Sequence, residues 1–177
     1  MPLPRGVVFA TVRFQVKQSF DHSPDEVARA TLDLDYQHSL KDLESLESRE
    51  LLSQEERTDG VVVRQTRCVL DIQITGMAKS FIGDGDPAWV EEATWDESAL
   101  RWDWVIIPEV AKDLLQAAGT ISLHANGEGT ERVVEGEVKV KVPLYGGKVE
   151  GWVVEGIEHA YEEEAERLAA WLVREKS

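Results

Sequence analysis

Apolar and polar residues alternate with a period of two over much of this chain, which is the pattern of a β-strand with one dry face and one solvated face. The first such segment runs from Val8 to Ser19. Six later segments show strand composition or the same alternation: Leu46–Glu56, Val61–Ile74, Ala88–Trp95, Leu100–Ile107, Gly119–Asn126 and Arg132–Val142. Asp59-Gly60 joins the first two of these as a hairpin turn. The sequence therefore predicts about seven strands.

The periodicity changes to steps of three and four residues in the last stretch, Gly147 to Glu175, which predicts one long amphipathic helix. Its apolar stripe contains Val149, Val153, Gly156, Ile157, Ala160, Glu164, Leu168 and Trp171. Shorter helical signals lie elsewhere. Ser23-Pro24-Asp25-Glu26 forms a capping box that predicts a helix through Asp33. Tyr36–Leu40 is typical of a second short helix or a turn, and Gly76–Phe81 has room for one helical turn.

The order of these elements is one strand, two short helices, six strands and one long helix. Sequential hairpins build an antiparallel sheet, and a helix with a single apolar face must bury that face against it. We therefore expect an α+β fold in which a curved antiparallel sheet of about seven strands wraps on the C-terminal helix. The length fits a single domain over residues 1–177, with its core between about 8 and 174.

Three loose motifs in this order resemble the START-like or SRPBCC superfamily, the helix-grip proteins that include polyketide cyclases and the birch pollen allergen. They are the entry to the first helix (Phe20 to Val27), the strand end Thr94-Trp95-Asp96, and the approach to the terminal helix (Val142 to Glu150). The similarity covers nearly the whole chain and is greatest to bacterial members of unassigned function. It implies a cavity between sheet and helix for hydrophobic small molecules or lipids, and only some members are enzymes.

The composition of the chain limits the classes of binding partner that we expect. The formal net charge is -15 and the pI is about 4.6, which disfavours nucleic acid and anionic membranes, since both bind basic surfaces. No apolar run is long enough for a membrane span or a signal peptide, so we expect a cytoplasmic protein without stable membrane insertion. Cys68 is the single cysteine, and we expect it reduced in a core strand. We predict no cofactor and no metal; the oligomeric state is either monomer or homodimer.

The residues themselves also favour a cavity. Gly156 and Ala160 place small side chains in the helix stripe beside Val153 and Ile157, which leaves room or permits close packing on the sheet. Aromatic side chains share strand faces with apolar neighbours in two predicted strands: Trp89 and Trp95 in one, Trp102 and Trp104 in the other. Such faces suit a ligand pocket, although core packing is the more frequent role of any single tryptophan.

Polar residues that interrupt apolar faces are the sharper candidates for contacts to a ligand. Arg64, Glu91 and Glu164 each fall on an apolar face, where an unpaired charge is costly. They either pair with one another, bind the polar end of a ligand, or reach solvent at the mouth of a pocket. A bulge would turn Arg64 outward and Arg67 inward. His124 belongs to a polar row that faces either solvent or the cavity.

Three functions are open at this point, and we favour the first. One is non-catalytic binding of a hydrophobic small molecule or lipid between Trp102, Trp104 and the helix stripe. The second is a cyclase or dehydratase, with Glu91, Glu164 or His124 as general acid or base. The third is a protein-interaction module, which predicts an exposed apolar patch and no enclosed cavity.

Overall fold

A computed structural model describes residues 11–71, 83, 85–110, 112–141 and 146–175. Its strands are β1 (Thr11–Phe20), β2 (Leu46–Glu56), β3 (Val61–Leu70), β4 (Ala88–Asp96), β5 (Arg101–Pro108), β6 (Leu115–Asn126) and β7 (Gly129–Val140). Its helices are α1 (Pro24–Leu32), α2 (Leu34–Ser39) and the terminal α3 (Gly146–Glu175), with a single 3-10 turn over Leu40–Asp42.

All neighbouring strands pair antiparallel, in the order β1-β7-β6-β5-β4-β3-β2. The first strand thus pairs with the last, and the chain then crosses from one edge of the sheet to the other through α1 and α2. Strands β2 to β7 follow as a meander. This is the predicted helix-grip arrangement, and the expectation of an α+β fold with about seven strands is confirmed.

The structure shows the helix starts and the hairpin turn that the sequence predicts. Ser23 Oγ accepts from the Glu26 amide at 3.4 Å, and Glu26 Oε2 accepts from the Ser23 amide at 2.8 Å, which completes the capping box of α1. Asp33 caps α2 through Tyr36, so the second segment is a helix rather than a turn. Asp59 and Gly60 both have positive φ, 92° and 71°, as a tight β2–β3 turn requires.

Two strands start three or four residues earlier than predicted, and the other described strand ends differ less. Strand β6 starts at Leu115 rather than Gly119, because Leu115 and Ala117 continue the inward alternation and pair with Val140 and Val138. Strand β7 starts at Gly129 rather than Arg132. The predicted helical turn over Gly76–Phe81, the strand ends Val8–Ala10 and Ile72–Ile74, and Val142 lie outside the described residues.

The core lies between the concave face of the sheet and the helices. Leu168 and Leu172 of α3 are fully buried there, together with Tyr36 of α2 and Val134 and Val138 of β7. In contrast, Val153, Ile157 and Ala160 in the first half of α3 are less completely buried. The C-terminal half of the helix therefore packs on the core, whereas the first half faces a less filled space.

Two glycines shape the centre of the sheet beneath Trp104. A β-carbon on Gly136 would lie 2.6 Å from the Trp104 ring and 2.8 Å from the Phe14 ring. A β-carbon on Gly119 would meet the Trp104 ring at 2.5 Å and the backbone of Glu135 even more closely. The indole of Trp104 thus occupies space that any other residue at these positions would fill.

We expect Gly136→Ala to lower the free energy of unfolding by about 1–3 kcal/mol, because the new methyl group must displace two aromatic rings. Gly151→Ala in α3 is the matched control: no described atom lies within 4 Å of its β-carbon position, and replacing a helical glycine with alanine stabilises by about 1 kcal/mol. Urea denaturation of both variants checks this. Equal stability of the two variants would contradict the account.

Candidate functional site

A half-enclosed cavity of about 120 Å³ lies between the sheet and the first half of α3. This is well above the roughly 15 Å³ that one water needs, so the space admits an organic molecule or several waters. The walls come from β2 to β6, the segment before β2, and α3. The lining residues are Leu43, Leu46, Arg49, Arg64, Thr66, Cys68, Leu70, Trp89, Glu91, Trp104, Ile106, Leu115, Ile121, Val153, Gly156, Ile157, Ala160, Tyr161 and Glu164.

Arg64 of β3 points inward and lies over the ring of Trp102, with its guanidinium carbon 4.1 Å from the ring centroid. Its Nη1 donates to the carbonyl of Thr31 at 2.9 Å. Burial, followed by the nearby charge of Arg49, lowers the pKa of Arg64 to about 10, so the guanidinium stays protonated at neutral pH. Arg67 points outward and forms a two-pronged ion pair with Glu109. The strand is thus in the register that turns Arg64 inward.

Arg49 of β2 also lines the cavity, and its guanidinium donates hydrogen bonds to uncharged oxygen atoms. Its two terminal nitrogens donate to the carbonyl and the side-chain oxygen of Gln37, at 2.9 and 2.7 Å. Gln37 in turn donates to the carbonyl of Thr31 at 2.8 Å, the same carbonyl that Arg64 uses. Helix α2 and the end of α1 therefore hold both arginines in place on one side of the cavity.

Arg132 of β7 and Glu164 of α3 form a buried ion pair at 3.3 Å, with 1% and 19% of their side-chain surfaces exposed. Gln18 of β1 joins the pair, because its side-chain oxygen accepts from Arg132 at 2.7 Å and its amide donates to the carbonyl of Tyr161, also at 2.7 Å. The hydroxyl of Tyr36 donates to Glu164 at 3.5 Å. This network fixes α3 to the sheet at one end of the cavity.

Glu91 of β4 is the acidic group of the cavity that has no hydrogen bond from any described residue. Burial raises its pKa above the usual value for glutamate, and the positive charges of Arg64 and Arg49 offset that rise in part. Tyr161, which lines the opposite wall on α3, likewise makes no described hydrogen bond through its hydroxyl. Burial and then the charge of Glu91 raise the pKa of Tyr161 well above its usual value, so the phenol stays protonated.

The remaining polar groups of the wall are less reactive. Burial raises the pKa of the Cys68 thiol to about 12, so it stays a neutral thiol and behaves as a small apolar side chain, as predicted for a reduced core cysteine. The Thr66 hydroxyl and the Trp104 indole nitrogen are buried and find no hydrogen-bond partner within the described ranges. An acid–base reaction in this cavity would therefore depend on Glu91 rather than on Cys68.

Nine of the residues predicted as ligand contacts line the cavity: Arg64, Trp89, Glu91, Trp104, Val153, Gly156, Ile157, Ala160 and Glu164. Trp102 does not, because Arg64 covers one side of its ring and Trp95 packs against it at 5.3 Å between centroids. His124 is exposed on the outer face of β6, where it contacts Ser122, since Ile121 and Leu123 take the inward positions. These two predicted contacts are therefore corrected.

Sequence reasoning missed Arg49, Arg132 and Tyr161. The signal for two of them was present: Arg132 has the same strand parity as Val134, and Tyr161 follows Ile157 by four residues, so each belongs to the inward face. Arg49 gave no such signal, because β2 contains two register irregularities that change which residues face inward.

In the described part of the chain, no three histidine, cysteine, aspartate or glutamate side chains are grouped as metal ligands. No helix within the same ranges is long and apolar enough to cross a membrane.

An antiparallel seven-stranded sheet that wraps on a long C-terminal helix defines the helix-grip fold. Solved structures agree with this assignment. TTHA0849 from Thermus thermophilus superimposes with a TM-score of 0.66 at 22% identity, covering 94% of this chain and 100% of that one. The Zhui aromatase/cyclase from Streptomyces sp. R1128 gives a TM-score of 0.66 at 11% identity, with 95% and 97% covered.

A START superfamily protein from Mycobacterium smegmatis gives a TM-score of 0.58 at 15% identity, covering 90% of this chain and 98% of that one. At these identities the similarity establishes the fold alone. The chain belongs to the family described as protein of unknown function (DUF2505), whose model matches residues 15–172. No curated protein sequence matches the chain.

We expect Glu164→Ala to lower the free energy of unfolding by about 3 kcal/mol, because it leaves the buried charge of Arg132 without its counterion. Glu162→Ala is the matched control on the same helix. The Glu162 side chain is 70% exposed and lies 4.0 Å from His159, so its loss should change stability by no more than about 0.5 kcal/mol. Similar effects of the two substitutions in chemical denaturation would refute the anchoring role of Glu164.

The raised pKa of Glu91 predicts a pH-dependent effect of Glu91→Gln. Below the ordinary glutamate pKa of about 4.3 the carboxyl is protonated in both states, so the variant and wild type should be equally stable. As pH rises through the folded pKa, ionisation of the buried carboxyl destabilises the wild type and leaves the variant unaffected. The melting temperature of Glu91→Gln should therefore exceed that of wild type at pH 8, with the difference vanishing at pH 4. A constant difference would contradict this.

Proposed function

We propose that this protein binds an apolar small molecule or lipid in the cavity between its sheet and α3. The observation that supports this most directly is the cavity itself, whose walls are mostly aliphatic and aromatic side chains. An apolar cavity with a few placed polar groups is the usual form of a small-molecule site. The residues proposed to contact the apolar body of the ligand are Trp89, Trp104, Val153, Gly156, Ile157 and Ala160.

The packing of α3 supports a binding role over simple structural packing. A void between well-packed elements forfeits dispersion contacts and lowers stability. A β-carbon added to Gly156 would lie 3.6 Å from Cδ2 of Leu70, which is an ordinary van der Waals contact. Alanine at this position would therefore cause no clash. The helix therefore accommodates a larger residue at a position where the chain has glycine, and the glycine keeps the space open.

An enzyme of the cyclase or dehydratase type is the second candidate, favoured by one observation. Glu91 has a raised pKa, faces the cavity and has no described hydrogen bond, which suits a general acid or base. A structural neighbour carries the name aromatase/cyclase, but its 11% identity supports only the fold. The third candidate, a protein-interaction module, predicts no enclosed cavity, so the cavity observed here argues against it.

Native mass spectrometry of the freshly purified protein tests the proposal. A discrete adduct that disappears on denaturation and appears in an organic extract would support binding and give the mass of the ligand. Incubation of that compound with fresh protein then separates the two candidates: recovery unchanged supports a binding protein, and conversion to a new mass supports the enzyme. A bare polypeptide mass would count against a tightly held ligand.

A larger side chain inside the cavity should weaken the binding of an apolar probe. We expect Gly156→Leu to weaken binding of the neutral fluorescent probe N-phenyl-1-naphthylamine by at least about tenfold, because the new side chain occupies the space beside Leu70. Gly151→Leu places the same side chain on the exposed face of α3 and should leave the affinity unchanged. Fluorescence titration measures both. Equal probe binding by the two variants would overturn the proposed location of the site.

A further inference from the structure

The charged groups that line the cavity, and Arg132 beside it, differ in their hydrogen-bond partners. Arg132 and Glu164 pair with each other, and Arg49 and Arg64 donate to carbonyl and amide oxygens. Of the two glutamates, Glu164 accepts from Arg132 and Tyr36, whereas Glu91 accepts no hydrogen bond from a described residue. It sits directly opposite Thr66 on β3 and Ile106 on β5, in the middle of the inward-facing surface of the sheet. A carboxylate in this position lacks a donor that a bound molecule would supply.

The opposite wall supplies a complementary group. Tyr161 belongs to α3 and lines the same cavity as Glu91, and its hydroxyl also has no described partner. The hydroxyl of tyrosine both donates and accepts, whereas an ionised carboxylate only accepts. A ligand group between them therefore has to donate to Glu91, and it gains a second hydrogen bond if it also accepts from Tyr161. A hydroxyl group meets both requirements.

The surrounding charges distinguish a neutral donor from a charged group. Arg49 and Arg64 are the positive charges that act on Glu91, and Glu164 is the further negative charge. Since Arg132 neutralises Glu164, the charges that remain are those of Arg49, Arg64 and an ionised Glu91, which together carry one net positive charge. An ammonium group there would add a second positive charge, and a carboxylate would lie beside Glu91 itself. The net positive charge disfavours an ammonium group, and a carboxylate, although the two arginines attract it, has no hydrogen to donate to Glu91, whereas a neutral hydroxyl has one.

We propose that the ligand of this cavity is an apolar alcohol or phenol whose hydroxyl donates to Glu91 and accepts from Tyr161. The apolar body then contacts Trp89, Ile106 and Ile157, which line the same cavity. This inference rests on the proposed binding function, to which it adds the chemical class of the ligand and the residues that select it.

Matched aromatic probes test the inference by isothermal titration calorimetry at pH 7. The probes are 2-naphthol, 2-methoxynaphthalene, 2-naphthoate and 2-naphthylmethylamine, which share one ring system and differ in the polar group. We expect 2-naphthol to bind wild type at least about tenfold more tightly than 2-methoxynaphthalene, since methylation removes the hydrogen donated to a charged acceptor. The two charged probes should bind more weakly than 2-naphthol.

Two variants and one control test which residues cause the preference for 2-naphthol. Glu91→Gln keeps the shape and removes the charge, and Tyr161→Phe removes only the hydroxyl; each should reduce the preference for 2-naphthol over 2-methoxynaphthalene severalfold. Glu92→Gln is the control on the same strand, because Glu92 lies on the outer face and accepts from Gln65 at 2.8 Å. This variant should keep the full preference.

The outcomes separate this inference from the binding function. Binding of 2-naphthol and 2-methoxynaphthalene with equal affinity would overturn the hydroxyl assignment and leave the cavity as a binding site. Tighter binding of 2-naphthoate or 2-naphthylmethylamine would also overturn it, in favour of a charged ligand. A preference for 2-naphthol that survives in both Glu91→Gln and Tyr161→Phe would overturn the role of these residues. Failure of all four probes to bind wild type would count against the binding function itself.

Discussion

The buried ion pair between Arg132 and Glu164 is the interaction on which the geometry of this protein depends. Arg132 is almost completely withdrawn from solvent, and an uncompensated charge at that depth would cost several kcal/mol. The helix must therefore lie across the sheet with Glu164 over β7. Gln18 and Tyr36 extend the same network to β1 and α2. One polar cluster thus fixes the position of the terminal helix relative to three other elements.

The cavity follows from where this anchor lies along the helix. Beyond Glu164, Leu168 and Leu172 pack fully into the core. Before it, the stripe of Val153, Ile157 and Ala160 faces the sheet across a space that none of these side chains fills. A helix held at one end by an ion pair and by buried leucines can remain apart from the sheet at the other end without losing its position. The cavity therefore coexists with a well-packed core in a single layer between sheet and helix.

Sequence periodicity predicts which face a residue occupies, and this is why nine of the residues that line the cavity were predictable. The alternation in β3 and β4 placed Arg64 and Glu91 inward, and helical spacing placed Gly156 and Glu164 on one stripe. Periodicity does not predict how deeply a side chain is buried or which neighbouring side chains cover it. Trp102 faces inward as expected but lies beneath Arg64, which depends on the path of a long side chain. Register irregularities in β2 likewise hid Arg49, because they break the alternation on which the prediction rests.

The charged residues around the cavity carry a net positive charge, whereas the chain as a whole is strongly acidic. The formal net charge is -15, yet three arginines and two glutamates surround the cavity and its anchor. The arginines hold their charge through fixed carbonyl, amide and carboxylate acceptors, which are in place before any ligand enters. Glu91 has no equivalent donor among the described residues, so the free protein carries a desolvated carboxyl whose stabilisation is incomplete. A carboxyl group that has no hydrogen-bond donor, beside arginines that each have an acceptor, is more typical of a functional site than of a folding core, because a charge needed only for stability would be paired or replaced.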